Sequence, residues 1–425
     1  MTSHSAAAHS PTQDSGLRTQ HCPPVAVTGL GVVSPIGVGR AQFWNALCAG
    51  TSGIAPLPDA VDVPRVAARI VDFSPREFIT SAHLRRADAL SRTIVAASRM
   101  ALADAKLGAA MPAPERIGVV VGSALGNISE SVQYLDRLFT KGPALASPLM
   151  FPNLVLNAPA SYVAMEIGCT GANLTTSQGE VSGELAIATG CDLIRSGRAD
   201  VVLAGGGDQL AEIVMSGYRR YRALSSQCGG PEWCSPYDAD RNGVVLGEGA
   251  AMLVLEPLPR ARQRGATVYA EIVDVASFGV PAPLYDVPAR APSAVPRLRA
   301  FLDRSGYPAV DLVCGSANSS RRLDACELDV LTRLFGAAAP AVALTSIKGA
   351  IGEFGAAGAL SAVAACLALH DGAVPPLCHL YHPPAGAALC FAARTAEPRP
   401  LRSALLFSLA RGGAALALLL RRPSE

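Results

Sequence analysis

Apolar residues fall along the chain in two kinds of run, short unbroken ones and longer ones with a helical period. Val25–Val33, Arg116–Gly122 and residues 198–208 (RADVVLAGGGD) are unbroken or nearly so, which predicts buried strands. The first ends in Ser34-Pro35-Ile36-Gly37, a turn signal. Arg92–Lys106 instead repeats Ile94, Ala97, Ala101 and Ala105 at helical spacing. In Ser123–Ala146, Ile128, Ser131, Leu135 and Phe139 recur on one helical face. Thr175–Ser196 opens with Ser177, Gly179, Ser182 and Gly183, then carries Leu185, Ile187, Ala188, Cys191 and Ile194 on an apolar helical face. That is a tight turn feeding a buried helix, with the 198–208 strand behind it. Further on, Ser235–Arg241 reads as a loop and Val244–Glu256 as a strand. A basic helix end (Arg260, Arg262, Arg264) and a new strand, Thr267–Ser277, follow, and Val280–Pro296 reads as a surface loop. Strands alternating with helices predict an α/β fold. Ser403–Leu420 is apolar enough to raise a membrane span, but Arg411-Gly412-Gly413 splits it, which favours a buried strand–turn–strand.

Composition narrows the function. Half of the 425 residues are hydrophobic and only 16% are charged, as expected of one large, well-buried α/β unit. A net charge of +2 gives no footprint for nucleic acid or an acidic membrane surface. Eleven cysteines without a CxxC pair argue against zinc or a disulfide framework, and predict small buried side chains in a reducing, cytoplasmic setting. Residues 1–23 are small, polar and aperiodic and read as a disordered tail, whose His4, His9 and His21 make a weak case for metal. Gly29, Gly31, Gly37 and Gly39 lack the G-x-G-x-x-G spacing of a dinucleotide site.

The 175–196 turn is where chemistry is expected. A side chain held at a helix N-terminus among unpaired N–H groups is placed to stabilise an anion, and a cysteine there would have a lowered pKa. VAVTGLGVVSPIGVG (25–39), this elbow, SPYDADRNGVVLGEGAAMLVLE (235–256) and SIKGAIGEFGAAGA (346–359) occur in an order and spacing that resemble a β-ketoacyl-ACP synthase of the thiolase superfamily. The resemblance covers nearly everything after residue 23. It implies a thiolase-like fold of two similar α/β halves in a layered αβαβα architecture, here residues 24–265, with the elbow at 175–196, and 266–425. It also implies a Cys-His-His catalytic set, which this chain lacks. Glu180 stands where the family's cysteine belongs. Anchoring on Asp324 and Glu327 puts Ser316 in place of the first histidine, and SIKGAIGEF puts Glu353 in place of the second. Lys348 of that motif is retained, and the C-terminal glycine loop is represented by FSLARGGAA (407–415).

Claisen condensation needs a thiolate to carry the acyl chain and donors to stabilise an enolate. Glu180 cannot hold a thioester, and Glu353 places negative charge where the enolate would develop. The resemblance therefore points to a pseudo-enzyme: the chain length factor, or ketosynthase β subunit, of a type II polyketide synthase. Such a subunit pairs with an intact ketosynthase α subunit as a heterodimer or higher assembly and walls the channel for the growing chain on acyl carrier protein. By the same resemblance, Ile128, Ser131, Leu135 and Phe139 line the channel end. Glutamate in place of the usual glutamine suggests a branch serving reduced polyene chains. No metal, cofactor, nucleic acid or membrane partner is expected. Asp238, Asp240 and Glu248 suggest a cation site, against which stands a role in tying their loop to the core. Arg290 and Arg297 are candidates for docking an acidic carrier protein, or else solvated surface. Two other readings stay open: a malonyl-ACP decarboxylase acting through Glu180, and a noncatalytic carrier-protein scaffold.

Overall fold

The computed structural model describes residues 24–58, 64–79, 86–392 and 395–424, so the tail expected at 1–23 lies outside the described residues. The first half runs β1 (Val25–Ser34), α1 (Ala89–Ala105), β2 (Ile117–Gly122), α2 (Ile128–Lys141), α3 (Ala158–Ile167), β3 (Asn173–Thr176), α4 (Ser182–Arg195), β4 (Val201–Asp208), α5 (Glu212–Arg220) and β5 (Gly249–Pro257). The second runs β6 (Ala270–Gly279), α6 (Ala294–Arg304), β7 (Leu312–Gly315), α7 (Arg321–Phe335), β8 (Ala343–Thr345), α8 (Ala357–Asp371), β9 (Cys390–Phe391), β10 (Ser403–Leu409) and β11 (Ala414–Arg421).

These strands form one sheet in the order β9-β8-β7-β10-β11-β6-β1-β5-β4-β2-β3. From β1 outward the pairings to β5, β4, β2 and β3 are antiparallel, antiparallel, parallel and parallel. From β6 outward those to β11, β10, β7 and β8 repeat the same senses. The two runs join where β1 pairs with β6 over three residues. A parallel neighbour requires a crossover, and α4 (β3 to β4) corresponds in place to α8 (β8 to β10).

Both faces of the sheet are covered, as period-two burial requires. In β2, Val120 packs into the core of α4 and α8, whereas Ile117, Val119 and Val121 pack with α1 and α3. In β10, Ala404 and Leu406 join the α4/α8 core, and Leu405, Phe407 and Leu409 join that of α6 and α7. The result is the αβαβα layering of the thiolase fold, with α4 and α8 in the middle. Helix α8 is buried continuously from Ala357 to Leu369, as befits a helix apolar all round. Where α4 meets α8 there is no room for a side chain: a Cβ on Gly183 would lie 2.8 Å from Ala356 O and Ala359 N.

The apolar C-terminal stretch is strand, turn and strand, with Gly412 at φ +76° in the turn. Among the described residues no helix is long and apolar enough to cross a membrane. The described cysteines are all free and mostly buried. Two loop boundaries are placed differently from the sequence expectation in ways that bear on the site residues. The strand expected from Val244 starts at Gly249, because Val244 and Leu246 make single bridges to Leu224 and Glu353. The loop expected to reach Pro296 stops where α6 begins at Ala294, so Arg297 sits on that helix. The stripe on α2 is not core: none of the helix's side chains is fully buried.

Candidate functional site

The elbow is built by its own small residues. Ser182 Oγ donates to Gly179 O at 2.7 Å and accepts the Gln178 N–H at 2.9 Å, and Gly179 takes φ +57°. This closes the turn between β3 and α4 and leaves residue 180 at its apex. The Glu180 side chain is 10% exposed. The first amides of α4, where the sequence predicts a stabilised anion, do not hold this carboxylate; Arg411 does. Glu180 Oε2 accepts the Arg411 backbone N–H at 3.1 Å, and its Oε1 pairs with the Arg411 guanidinium. That guanidinium also bonds the Tyr218 hydroxyl and lies 4.5 Å from the centre of the Tyr218 ring. One residue therefore grips both carboxylate oxygens. Burial opposes the Arg411 charge, but Tyr218 and Glu180 more than offset it and hold its pKa above the usual value.

Glu353 follows the single helical turn Lys348–Ile351 and is 1% exposed. Its Oε2 accepts from Lys348 Nζ at 2.8 Å and Asn318 Nδ2 at 2.6 Å, while its Oε1 is buried with no partner. Burial pulls the Lys348 pKa down, yet Glu353 first, then Glu184 and Glu180, raise it above the usual lysine value. Ser316 is turned elsewhere. Its hydroxyl and N–H both donate to Glu327 Oε1, at 2.9 and 2.8 Å, and its Oγ accepts the Leu409 N–H at 3.3 Å.

Two acids here had no counterpart in the sequence reading. Glu184, in the first turn of α4, is 1% exposed and accepts from Ser408 Oγ at 2.5 Å. A Cβ on Gly358 would strike its carboxylate, so glycine at that position of α8 makes the room. Burial pushes the Glu184 pKa up, opposed by Ser408. Asp208, at the end of β4, accepts from Ser123 Oγ at 2.6 Å, from Ala124 N at 3.0 Å and, through Oδ2, from Ala356 N at 2.8 Å. It ties the approach to α2 to the start of α8, and burial pushes its pKa up to about 6.

A cavity of about 320 Å³ lies against this cluster, bounded by Glu180, Glu353, Asp208 and Arg411 and by apolar side chains including Ile128 and Val214. Of the four α2 residues expected to line a channel, Ile128 alone is among the residues that bound it. Leu135 is 45% and Phe139 80% exposed, and Ser131 Oγ donates to Asn127 O. Leu149, Phe151 and Met165 are exposed as well, and so is Leu174 on the edge strand β3. Asp238, Asp240 and His382 come within reach of one another, but Asp238 is taken by the N–H groups of Asp240, Tyr381 and His382. Glu248 is held by the Ile70 and Leu210 N–H groups, so these acids tie loops.

Residues 23–261 match the beta-ketoacyl synthase N-terminal domain and residues 269–381 its C-terminal domain. The chain is 32% identical over 409 residues to 3-oxoacyl-[acyl-carrier-protein] synthase 2 of Coxiella burnetii, covering 94% of this chain and 98% of that protein. It superposes on the ishigamide ketosynthase/chain length factor with a TM-score of 0.85 and 26% identity, over 95% of this chain and 100% of that one. A type II polyketide synthase acyl carrier protein in complex with its ketosynthase bound to the hexaketide also matches, at TM-score 0.85 and 26% identity, over 94% and 100% of the two chains.

Proposed function

The chain belongs to the beta-ketoacyl synthase family, and from that premise we propose that it is a noncatalytic, chain-length-factor-like subunit of a polyketide synthase. Its partner in this reading is a ketosynthase with an intact Cys-His-His set, on which the polyketide grows from acyl carrier protein. One observation carries the reading: at the elbow apex stands a carboxylate gripped through both oxygens by Arg411. A thioester cannot form there. The donors that would stabilise an enolate are missing as well, since Ser316 is bonded to Glu327 and Glu353 offers a carboxylate oxygen. Decarboxylation through Glu180 is less well supported for the same reason, because the guanidinium nearest it is already committed. The subunit needs no cofactor of its own, as the acyl chain travels on the carrier protein's phosphopantetheine.

The partner reading draws on the uncovered side of α2, α3 and β3. An unpaired edge strand flanked by exposed Leu and Phe side chains is a surface that folding alone leaves unfinished. The ishigamide neighbour, described as a ketosynthase/chain length factor, supports a ketosynthase as what covers it. Contact there brings Ile128, Ser131, Leu135 and Phe139 against the partner's channel. The test is a tagged pull-down from the native host, with composition and mass of the complex determined. A one-to-one complex, or a multiple of it, with a Cys-His-His ketosynthase is expected. Phe139→Asp is expected to weaken that complex at least tenfold. A homodimer with no such partner refutes the reading and favours the scaffold.

A further inference from the structure

The loops at 235–241 and 379–382 are laced together through Asp238. Its Oδ2 accepts the N–H groups of Tyr381 and His382 at 2.6 and 2.8 Å, and its Oδ1 accepts that of Asp240 at 2.8 Å. Ala239 N donates to His382 O at 2.7 Å. These ties leave Asp238 Oδ1 one lone pair, and they set the Asp240 carboxylate against the His382 ring. Nδ1 lies 2.8 Å from Oδ2, although the two residues are 142 apart in sequence. Among the described residues, this is the one place where three acid, cysteine or histidine side chains offer ligand atoms within 4.8 Å of one another. Two carboxylates so close repel each other unless a positive charge joins them. Among the described residues no lysine or arginine does so: Arg241 is spent on Asp324 and on the backbone carbonyls of Asp238 and Arg321. Elsewhere the chain answers its aspartates with arginine, as in Asp200–Arg116 and Asp274–Arg304.

We propose that Asp238, Asp240 and His382 hold a divalent transition-metal ion, Zn²⁺ above others, which clips the two loops together. An imidazole nitrogen beside two carboxylates favours Zn²⁺ over Mg²⁺ and Ca²⁺, which are served by oxygen ligands. Ligand atoms bound to Zn²⁺ stand roughly 3 Å apart, so His382 Nδ1 and Asp240 Oδ2 are already close to the spacing it needs. The imidazole binds in its neutral form, with its proton on Nε2. The Asp240 and His382 side chains are 63% and 67% exposed, which lets the ion enter from solvent and keep water in its remaining positions. The sequence pattern placed Glu248 with the two aspartates; the fold supplies His382 instead. The ion acts on the loops and not on the elbow, so this inference does not rest on the chain-length reading.

The experiment is calorimetric titration of the purified full chain, in whatever complex it is isolated, with ZnCl₂, MgCl₂ and CaCl₂, beside His382→Asn and Asp240→Asn. Both replaced side chains are mostly exposed and the ties to Asp238 use backbone N–H groups, so both variants are expected to melt like the parent when no metal is added. The parent is expected to take up one equivalent of Zn²⁺ more than either variant, at least tenfold more tightly than Mg²⁺ or Ca²⁺. It is also expected to melt higher with Zn²⁺ than without, a rise that both variants lose. Co²⁺ in the same site is expected to show no thiolate charge-transfer band, since no cysteine belongs to the set. Equal Zn²⁺ stoichiometry in the parent and both variants overturns the proposal and moves the binding to other groups, such as His4, His9 and His21. So does Mg²⁺ or Ca²⁺ binding as tightly as Zn²⁺, or an absence of saturable uptake.

Discussion

Replacing Lys348 with methionine isolates the energetics of the buried pair beneath the site. Lys348 and Glu353 side chains are 3% and 1% exposed, with Nζ and Oε2 2.8 Å apart. Removing one partner of such a pair leaves a buried charge uncompensated and costs about 3–5 kcal/mol. Asn318 alone then holds the Glu353 carboxylate. Replacing both partners with apolar side chains of similar volume is expected to be within about 1 kcal/mol of the parent, because the desolvation of both charges is relieved together. Unfolding entropy scales at about 2.1 cal/mol/K per residue. For a 425-residue chain the single variant should therefore melt roughly 3–6 °C lower. Differential scanning calorimetry or urea titration of Lys348→Met, Glu353→Leu and the double variant completes the cycle. A double variant as unstable as the sum of the singles would show that the two charges are not coupled, and would refute the reasoning.

Three further outcomes are expected. Glu180→Cys should show no condensing activity on acyl- and malonyl-carrier protein, because the donors absent at 316 and 353 are each typically worth two to four orders of magnitude; measurable turnover by the chain without a partner would contradict this. Leu135→Trp, in an otherwise active complex, should shift products toward shorter chains, read by mass spectrometry, and an unchanged distribution counts against the channel role. Asp208 has its pKa raised by burial to about 6, so the fold favours its protonated form. The stability this contributes is present below the ordinary carboxylate pKa and is lost as pH rises through 6. The stability difference between the parent and Asp208→Asn should therefore fall by roughly 2 kcal/mol between pH 4 and 7. A difference that stays flat with pH would show that Asp208 titrates normally.

Much of the architecture is legible in local patterns. Unbroken apolar runs mark β1, β2 and β4, and small residues before Leu185 mark the elbow, because period and turn chemistry are short-range properties. The degenerate positions 180, 316 and 353 are found by laying motifs side by side. What holds each of them is not. Arg411 reaches Glu180 across 231 residues, and no local pattern announces that an arginine in a glycine turn will take up the elbow carboxylate. Glu184 reads as an ordinary acid in a helix's first turn until α8 and its Gly358 enclose it. The α2 stripe shows the opposite limit. An amphipathic period says that a face is to be covered, but whether by the same chain or by another is decided outside the sequence of the helix.

That uncovered face has a consequence for how the protein is made. In the chain-length-factor reading, a copy synthesised in excess of its partner carries Phe139, Leu149, Phe151 and an open strand edge into the cell with nothing to quench them. Surplus copies are then substrates for chaperones and proteases, or seeds for aggregates. Dosage thereby becomes a structural property: the two subunits have to be produced in step, and recombinant yield should follow the scarcer one.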